Sequence, residues 1–161
     1  MHSSTSFITA LDNLEAYVEA EGPFDSVLAY SQGAGLAAML LIRRHLLQPQ
    51  LRSMFRCAIL FSPVQVYDPV AYVEKGEITV LDSLREGMTP VQLPIAIIYG
   101  DKDEKNTESA MVQRLCDPRH VSVFVHEGGH EVPGHGSKNG LSGAVKVARR
   151  CIIQAELLTE S

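Results

Sequence analysis

Three short stretches carry side chains of the types that acyl-transfer chemistry uses. The first is Ala29-Tyr-Ser-Gln-Gly33, which sets Ser31 between an apolar run and the small residues Gly33, Ala34 and Gly35. The second is Gly100-Asp-Lys-Asp103, and the third is His126-Glu-Gly-Gly-His130-Glu-Val-Pro133. A serine hydroxyl is a weak nucleophile until an imidazole accepts its proton. A buried carboxylate in turn fixes the tautomer of that imidazole and stabilises its charged form. Ser31 alone reads equally well as the N-cap of an ordinary helix; the two further stretches give it the partners that chemistry would need.

Such side chains must be held by elements that end at one place, and the periodicity of the chain supplies them. Residues 7–20 put Phe7, Leu11, Leu14 and Val18 on one helical face, and Gly22-Pro23 ends that helix. Residues 25–30 read as a short strand, and Gln32 to about Leu47 as a helix of strong formers with Pro49 beyond its end. Three more apolar runs are too short for helices: 57–61, which ends in Ser62-Pro63, then 95–99 and 121–125. An amphipathic segment around Ala110 to Leu115 precedes the last of these, and a helix over about 141–158 closes the chain. Strands that are continuous apolar runs, alternating with helices, predict a parallel sheet covered on both faces, an α/β fold in one domain. Residues 64–92, with Pro69, Gly76, Gly87 and Pro90 and weak periodicity, are expected to make an irregular excursion over one end of the sheet.

On this plan Ser31 stands where a strand turns directly into a helix, at the carboxyl edge where α/β proteins place ligands. So tight a turn demands small neighbours, here Ala29, Gly33, Ala34 and Gly35, and it pushes the hydroxyl out of the sheet. The backbone N–H of Gln32, at the positive end of the helix dipole, then points where an oxyanion forms. This is a nucleophile elbow of the G-x-S-x-G kind with Ala29 at the first glycine position. Serine, then aspartate, then His130 is the chain order of α/β-hydrolase triads. Asp101 and Asp103 compete for the acid position, and Asp103, three residues past Gly100, has the more usual reach; Asp101 also suits a turn.

Composition removes other classes. The chain has 161 residues, 45% of them hydrophobic, and a net charge of −5 with its Lys and Arg scattered, which speaks against nucleic-acid binding. No apolar run approaches the roughly 18 residues of a membrane span, and the first residues lack the features of a signal peptide, so a soluble, cytoplasmic protein is expected. Cys57, Cys116 and Cys151 have no paired spacing and read as reduced, buried thiols rather than a disulfide or zinc framework. His126 and His135 flank His130, but the glycines between give no face that would converge them, so no metal or other cofactor is expected. Arg43, Arg44 and His45 at the end of the elbow helix suit its negative dipole end. Tyr67, Tyr72 and Met88 read either as the lining of an acyl pocket or as packing.

The stretches 24–37, 93–103 and 125–133 together resemble the fungal serine hydrolase family, whose members include esterases and thioesterases that release or trim polyketides. The resemblance implies a three-layer α/β-hydrolase-like fold with a reduced sheet of about four strands. It also implies Ser31 as nucleophile, Asp103 as orienting acid and His130 as general base. The implied substrate is an ester or thioester of a small-molecule or polyketide-like acyl group, in fungal secondary metabolism. Ala29 and Glu104-Lys-Asn106 depart from the family pattern. Complete members also carry, before the equivalent of Phe7, a strand ending in His-Gly and a loop that donates a second oxyanion N–H, and neither is found here. Their absence would leave the strand over 25–30 as an open apolar edge, a pairing liability. A homodimer or a separate partner chain is therefore expected to cover it. The alternative function is a non-hydrolytic one, as a binding or partner protein, or as a cyclase or isomerase that reuses the site.

Overall fold

The computed structural model describes residues 4–160. Along them run α1 (Ser4–Glu21), β1 (Ser26–Tyr30), α2 (Ser31–Leu47), β2 (Cys57–Phe61), α3 (Pro69–Lys75), β3 (Ile95–Gly100), α4 (Asn106–Arg114), β4 (Val121–His126) and α5 (Lys138–Glu160). The strands form one parallel sheet in the order β1-β2-β3-β4, with Leu28 beside Ile59, Ile59 beside Ala96 and Ala96 beside Ser122. Because side chains alternate along each strand, this register sorts the apolar residues into two layers. Val27, Ala29, Ala58, Leu60, Ile95 and Ile97 pack under α1, α2 and α4, against Leu11, Ala38, Leu41 and Val112. Cys57, Ile59, Ala96 and Ile98 face the other way, onto Ala144, Cys151 and Ala155 of α5. The result is the expected helix–sheet–helix sandwich. Leu60 lies at its centre with no exposed surface, so Leu60→Ala would cost about 2–5 kcal/mol.

Two expectations need correction. Not every strand is covered on both faces: β1 is at the edge, as expected for the strand over 25–30, but α5 does not reach over it, and Leu28 in its middle is 68% exposed. The apolar run Val-Leu-Ala-Tyr would suit burial on both faces, but only its Val27 and Ala29 side is packed. The stretch 64–92 is also more regular than expected. Asp68 caps α3 by accepting from the N–H groups of Val70 and Ala71, Pro69 occupies the first turn, and Gly76 ends the helix at φ 69°, a conformation glycine adopts without strain. Arg85 pairs with the buried Asp68 carboxylate, and Tyr67 bridges Val80, so the segment folds back on itself. A helix of seven residues is too short to show a period, although its capping residues were visible in the sequence.

The cations late in α2 do more than oppose a dipole. Arg43 pairs with Asp12 and Glu15, and Arg44 with Glu15 and Glu19, which ties α2 to an acidic row on α1. Such surface pairs each contribute about 1 kcal/mol or less.

Candidate active site

β1 passes into α2 with no intervening residue, and Ser31 absorbs the change of direction at φ 55°, in the left-handed region. For a residue other than glycine this conformation costs about 1–3 kcal/mol and persists only where the surroundings impose it. Ala29 does not share it, so the alanine at the first glycine position is no obstacle. Of the small residues after Ser31, Gly35 is under the tighter constraint: a Cβ there would run into Val64, and Ala34 has no exposed surface. Gly33 is different. A Cβ on it would meet no heavy atom within 4 Å, so the steric demand expected at Gly33 is not made by the described residues.

From Ser31 a chain of contacts runs across the carboxyl edge of the sheet. Ser31 Oγ lies 2.7 Å from His130 Nε2, and His130 Nδ1 lies 2.7 Å from Asp103 Oδ2. The three residues come from the ends of β1, β4 and β3, and the order of the sheet brings them together. Asp103 is 3% exposed, while Asp101 is exposed and joins the loop through its backbone, donating its N–H to His126 and accepting from the Asn106 side chain. Geometry thus separates the two aspartates. Burial would push the Asp103 carboxyl up, but the Lys105 N–H on Oδ1 at 2.8 Å, the His130 ring and the Ser62 hydroxyl together hold it below its ordinary value. Asp103 is thereby an anion positioned to hold an imidazolium.

Glycines let the two loops meet. A Cβ on Gly100 would overlap the carbonyl oxygens of Gly128 and Gly129, and one on Gly128 would strike Glu131 and His126. With no side chains there, Asp101 N–H bonds His126 O at 2.8 Å and Lys102 N–H bonds Gly128 O at 3.1 Å. These two bonds continue the β3–β4 ladder into the loops that carry the acid and the base. Tyr30, which the sequence reading passed over, adds a third tie: its hydroxyl donates to His130 O at 2.7 Å and its ring lies 5.3 Å from the imidazole. Its place just before Ser31 was the available signal.

Other sequence candidates fall outside this contact chain. Gln32 is exposed in the first turn of α2, where backbone N–H groups have no helical acceptor. His126 is buried with its Nδ1 accepting from Gly128 N–H, and His135 is exposed; among the described residues no group of three His, Cys, Asp or Glu converges on a metal position. Tyr67 and Tyr72 line a cavity of about 80 Å³ with Ile8, Leu11 and Met39, which none of the three contacting residues borders. Met88 packs on the main core. The cysteines are all buried and free, and burial pushes the Cys116 and Cys151 thiols up to about 12.

Residues 1–140 match the family model described as Serine hydrolase (FSH1). The chain belongs to that family. This FSH1 member is 38% identical over 136 residues to Esterase FPY3 of Fusarium mangiferae, a match covering 82% of this chain and 59% of that protein. It is 30% identical over 135 residues to Family of serine hydrolases 2 of Saccharomyces cerevisiae, covering 78% and 53%. The chain thus spans little more than half the length of these relatives. Among solved structures, esterase PE8 aligns with a TM-score of 0.58 at 22% identity over 90% of this chain and 61% of its own. Mouse alpha/beta hydrolase domain-containing protein 10 aligns at 0.57 and 15% identity, over 94% and 69%. These likenesses establish the α/β-hydrolase fold for the FSH1 member. No described helix is long and apolar enough to cross a membrane.

Proposed function

We propose that this FSH1 member is a serine hydrolase for an ester or thioester of a small-molecule, polyketide-like acyl group. The observation that carries the proposal is the unbroken contact chain from a left-handed Ser31 through His130 to a buried Asp103. Ser31 Oγ attacks the acyl carbon while His130 Nε2 takes its proton, and the carbonyl oxygen becomes an oxyanion facing the Gln32 N–H. Collapse of this intermediate breaks the bond to the leaving alkoxide or thiolate, which receives the proton from Nε2. Water then attacks the acyl-enzyme, His130 takes its proton and returns it to Ser31, and the carboxylic acid departs. Asp103 stays ionised and holds the ring. Kinship with Esterase FPY3 supports an ester substrate, while the polyketide-like acyl group and a place in fungal secondary metabolism follow from the family resemblance alone. The test is labelling by a fluorophosphonate probe, with the adduct located by mass spectrometry. Rapid labelling at Ser31, lost in Ser31→Ala and His130→Ala, is the expected result; a folded protein that does not label refutes it.

A second proposal concerns the flank beside Ser31. Leu28 is 68% exposed, β1 has one unpaired edge, and Gly33 faces open space. Leu28 lies on the face of β1 turned away from α2, and an apolar, unpaired edge is a surface that proteins cover. A second copy or a separate partner chain covers it and brings the second oxyanion N–H. One such donor is worth about 2.7–4 kcal/mol of transition-state stabilisation. Light scattering of the chain at micromolar concentration is expected to give more than the monomer mass, and a monomer that labels at full rate sinks the idea. If a folded, uncovered chain does not label, the binding, cyclising or isomerising reading takes precedence.

A further inference from the structure

Ser31 is not the only described residue besides glycine with a positive φ: Ser62 has φ 44°. The two are alike in placement. Each is the first residue past the end of a strand, Ser31 after β1 and Ser62 after β2, and these strands are neighbours. Ser62 is held in that conformation from both sides. Its N–H donates to Ile98 O at 2.8 Å, extending the β2–β3 ladder, while the next carbonyl, of Pro63, accepts from Ser109 Oγ at 2.9 Å, and Gln65 N–H donates to the Glu108 carboxylate at 2.9 Å. A glycine would meet the same backbone demand without strain. The chain instead keeps a serine that is 0% exposed and whose hydroxyl makes no hydrogen bond of ordinary geometry. A strained backbone and an unpaired buried hydroxyl both oppose folding, and such costs concentrate at functional sites.

The hydroxyl has a neighbour for which it is suited. Asp103 is equally buried, its Oδ1 takes the Lys105 N–H and its Oδ2 faces His130, and each carboxylate oxygen has a further lone pair. The nearby Ser62 hydroxyl is among the groups that favour the ionised carboxyl. We propose that Ser62 is a positioning residue for the relay, its hydroxyl closing onto the Asp103 carboxylate to hold it against the His130 ring as that ring takes up a proton. This rests on the hydrolase reading above, and no bond is made or broken in the step.

The test compares Ser62→Ala and Ser62→Gly in the full chain, reading the Asp103 carboxyl titration by carbon NMR and the rate of fluorophosphonate labelling. Both changes remove the hydroxyl, but glycine relaxes the backbone and so also guards against a variant that fails to fold. A hydrogen bond to the charged form lowers a carboxyl pKa, so its loss raises it. Both variants are expected to raise the Asp103 midpoint by about one pH unit, tenfold in proton affinity, and to slow labelling about tenfold. A glycine variant with the wild-type midpoint and rate would reduce Ser62 to a backbone role and overturn the proposal. An unlabelled wild type refutes the hydrolase reading alone, and the Asp103 titration then decides the role of Ser62 by itself.

Discussion

Replacing Asp103 by asparagine separates charge and tautomer from shape. The carboxamide keeps one oxygen and exchanges the other for an NH2 group, and the structure dictates which goes where. Lys105 N–H points at Oδ1 from 2.8 Å, so the oxygen must remain there, because the flipped amide would set two donors against each other. The NH2 then faces His130 Nδ1, which has to accept. A neutral imidazole that accepts at Nδ1 carries its proton on Nε2, the atom 2.7 Å from Ser31 Oγ. The ring then donates to the serine instead of taking its proton, and no anion remains to stabilise the imidazolium. Loss of both functions in a comparable triad lowers turnover about 10⁴-fold, or ~5.5 kcal/mol of barrier. The assay is the pseudo-first-order rate of fluorophosphonate labelling at pH 8, with Asp101→Asn as the control. Asp103→Asn is expected to fold, since the Lys105 bond survives, and to label about 10⁴ times more slowly, whereas Asp101→Asn stays within twofold. An Asp103→Asn rate within tenfold of wild type would refute the assignment and the argument about the proton.

Two more perturbations test the supports of the site, and a third tests an ion pair of the fold. Tyr30→Phe keeps the ring beside His130 but removes one hydrogen bond, worth about 0.5–1.5 kcal/mol, so labelling should slow about 2- to 10-fold with little change in melting temperature; an unchanged rate would show that the tie does not position the imidazole. Gly100→Ala pushes a methyl into the carbonyls of Gly128 and Gly129, overpacking that costs about 1–3 kcal/mol. It should lower Tm by about 5 °C in calorimetry and slow labelling; a neutral result would contradict the close approach of the two loops. Asp117 is held down at about 2 by hydrogen bonds from Arg119 and by its charge, against burial. A carboxyl lowered on folding stabilises fully above its unfolded pKa of about 4, and that contribution is lost as pH falls toward 2. The urea midpoint of Asp117→Asn should therefore lie below wild type at pH 7, with the gap closing between about pH 4 and 2; a pH-independent gap would argue against the charge pairing.

The apolar runs 57–61 and 95–99 gave the central strands nearly to the residue, because five residues bounded by Ser62-Pro63 or by Pro94 and Gly100 are too few for a helix. The elbow was legible for a similar reason: few arrangements put a serine between an apolar strand and a small-residue helix. What the sequence hid was relational. Whether β1 is covered depends on α5, more than a hundred residues away, and an exposed Leu28 has the same letter as a buried one. Tyr30 was hidden because its partner, His130 O, lies a hundred residues beyond the local pattern, and the role proposed for Ser62 is hidden in the same way. The choice between Asp101 and Asp103 required knowing that the loop turns one side chain inward and leaves the other in solvent.

The division of labour within the site follows from the order of the strands. The proposed proton path lies over β1, β3 and β4, and every contact in it, including the Tyr30 tie and the glycine seam at Gly100 and Gly128, is made by side chains and backbone of this one chain. Charge stabilisation is placed differently. On the proposed mechanism it falls to the first turn of α2, whose Gln32 and Gly33 are exposed, with open space beside Gly33. A relay complete in itself beside a half-walled oxyanion position predicts a split between two observables. A fluorophosphonate reports the relay together with whatever oxyanion contact exists, while turnover of an ester needs the oxyanion held twice per cycle. Covering β1 should therefore raise ester turnover more than it raises labelling. Equal gains would mean that the cover acts by stabilising the elbow itself, through the strain at Ser31, and not by adding a donor.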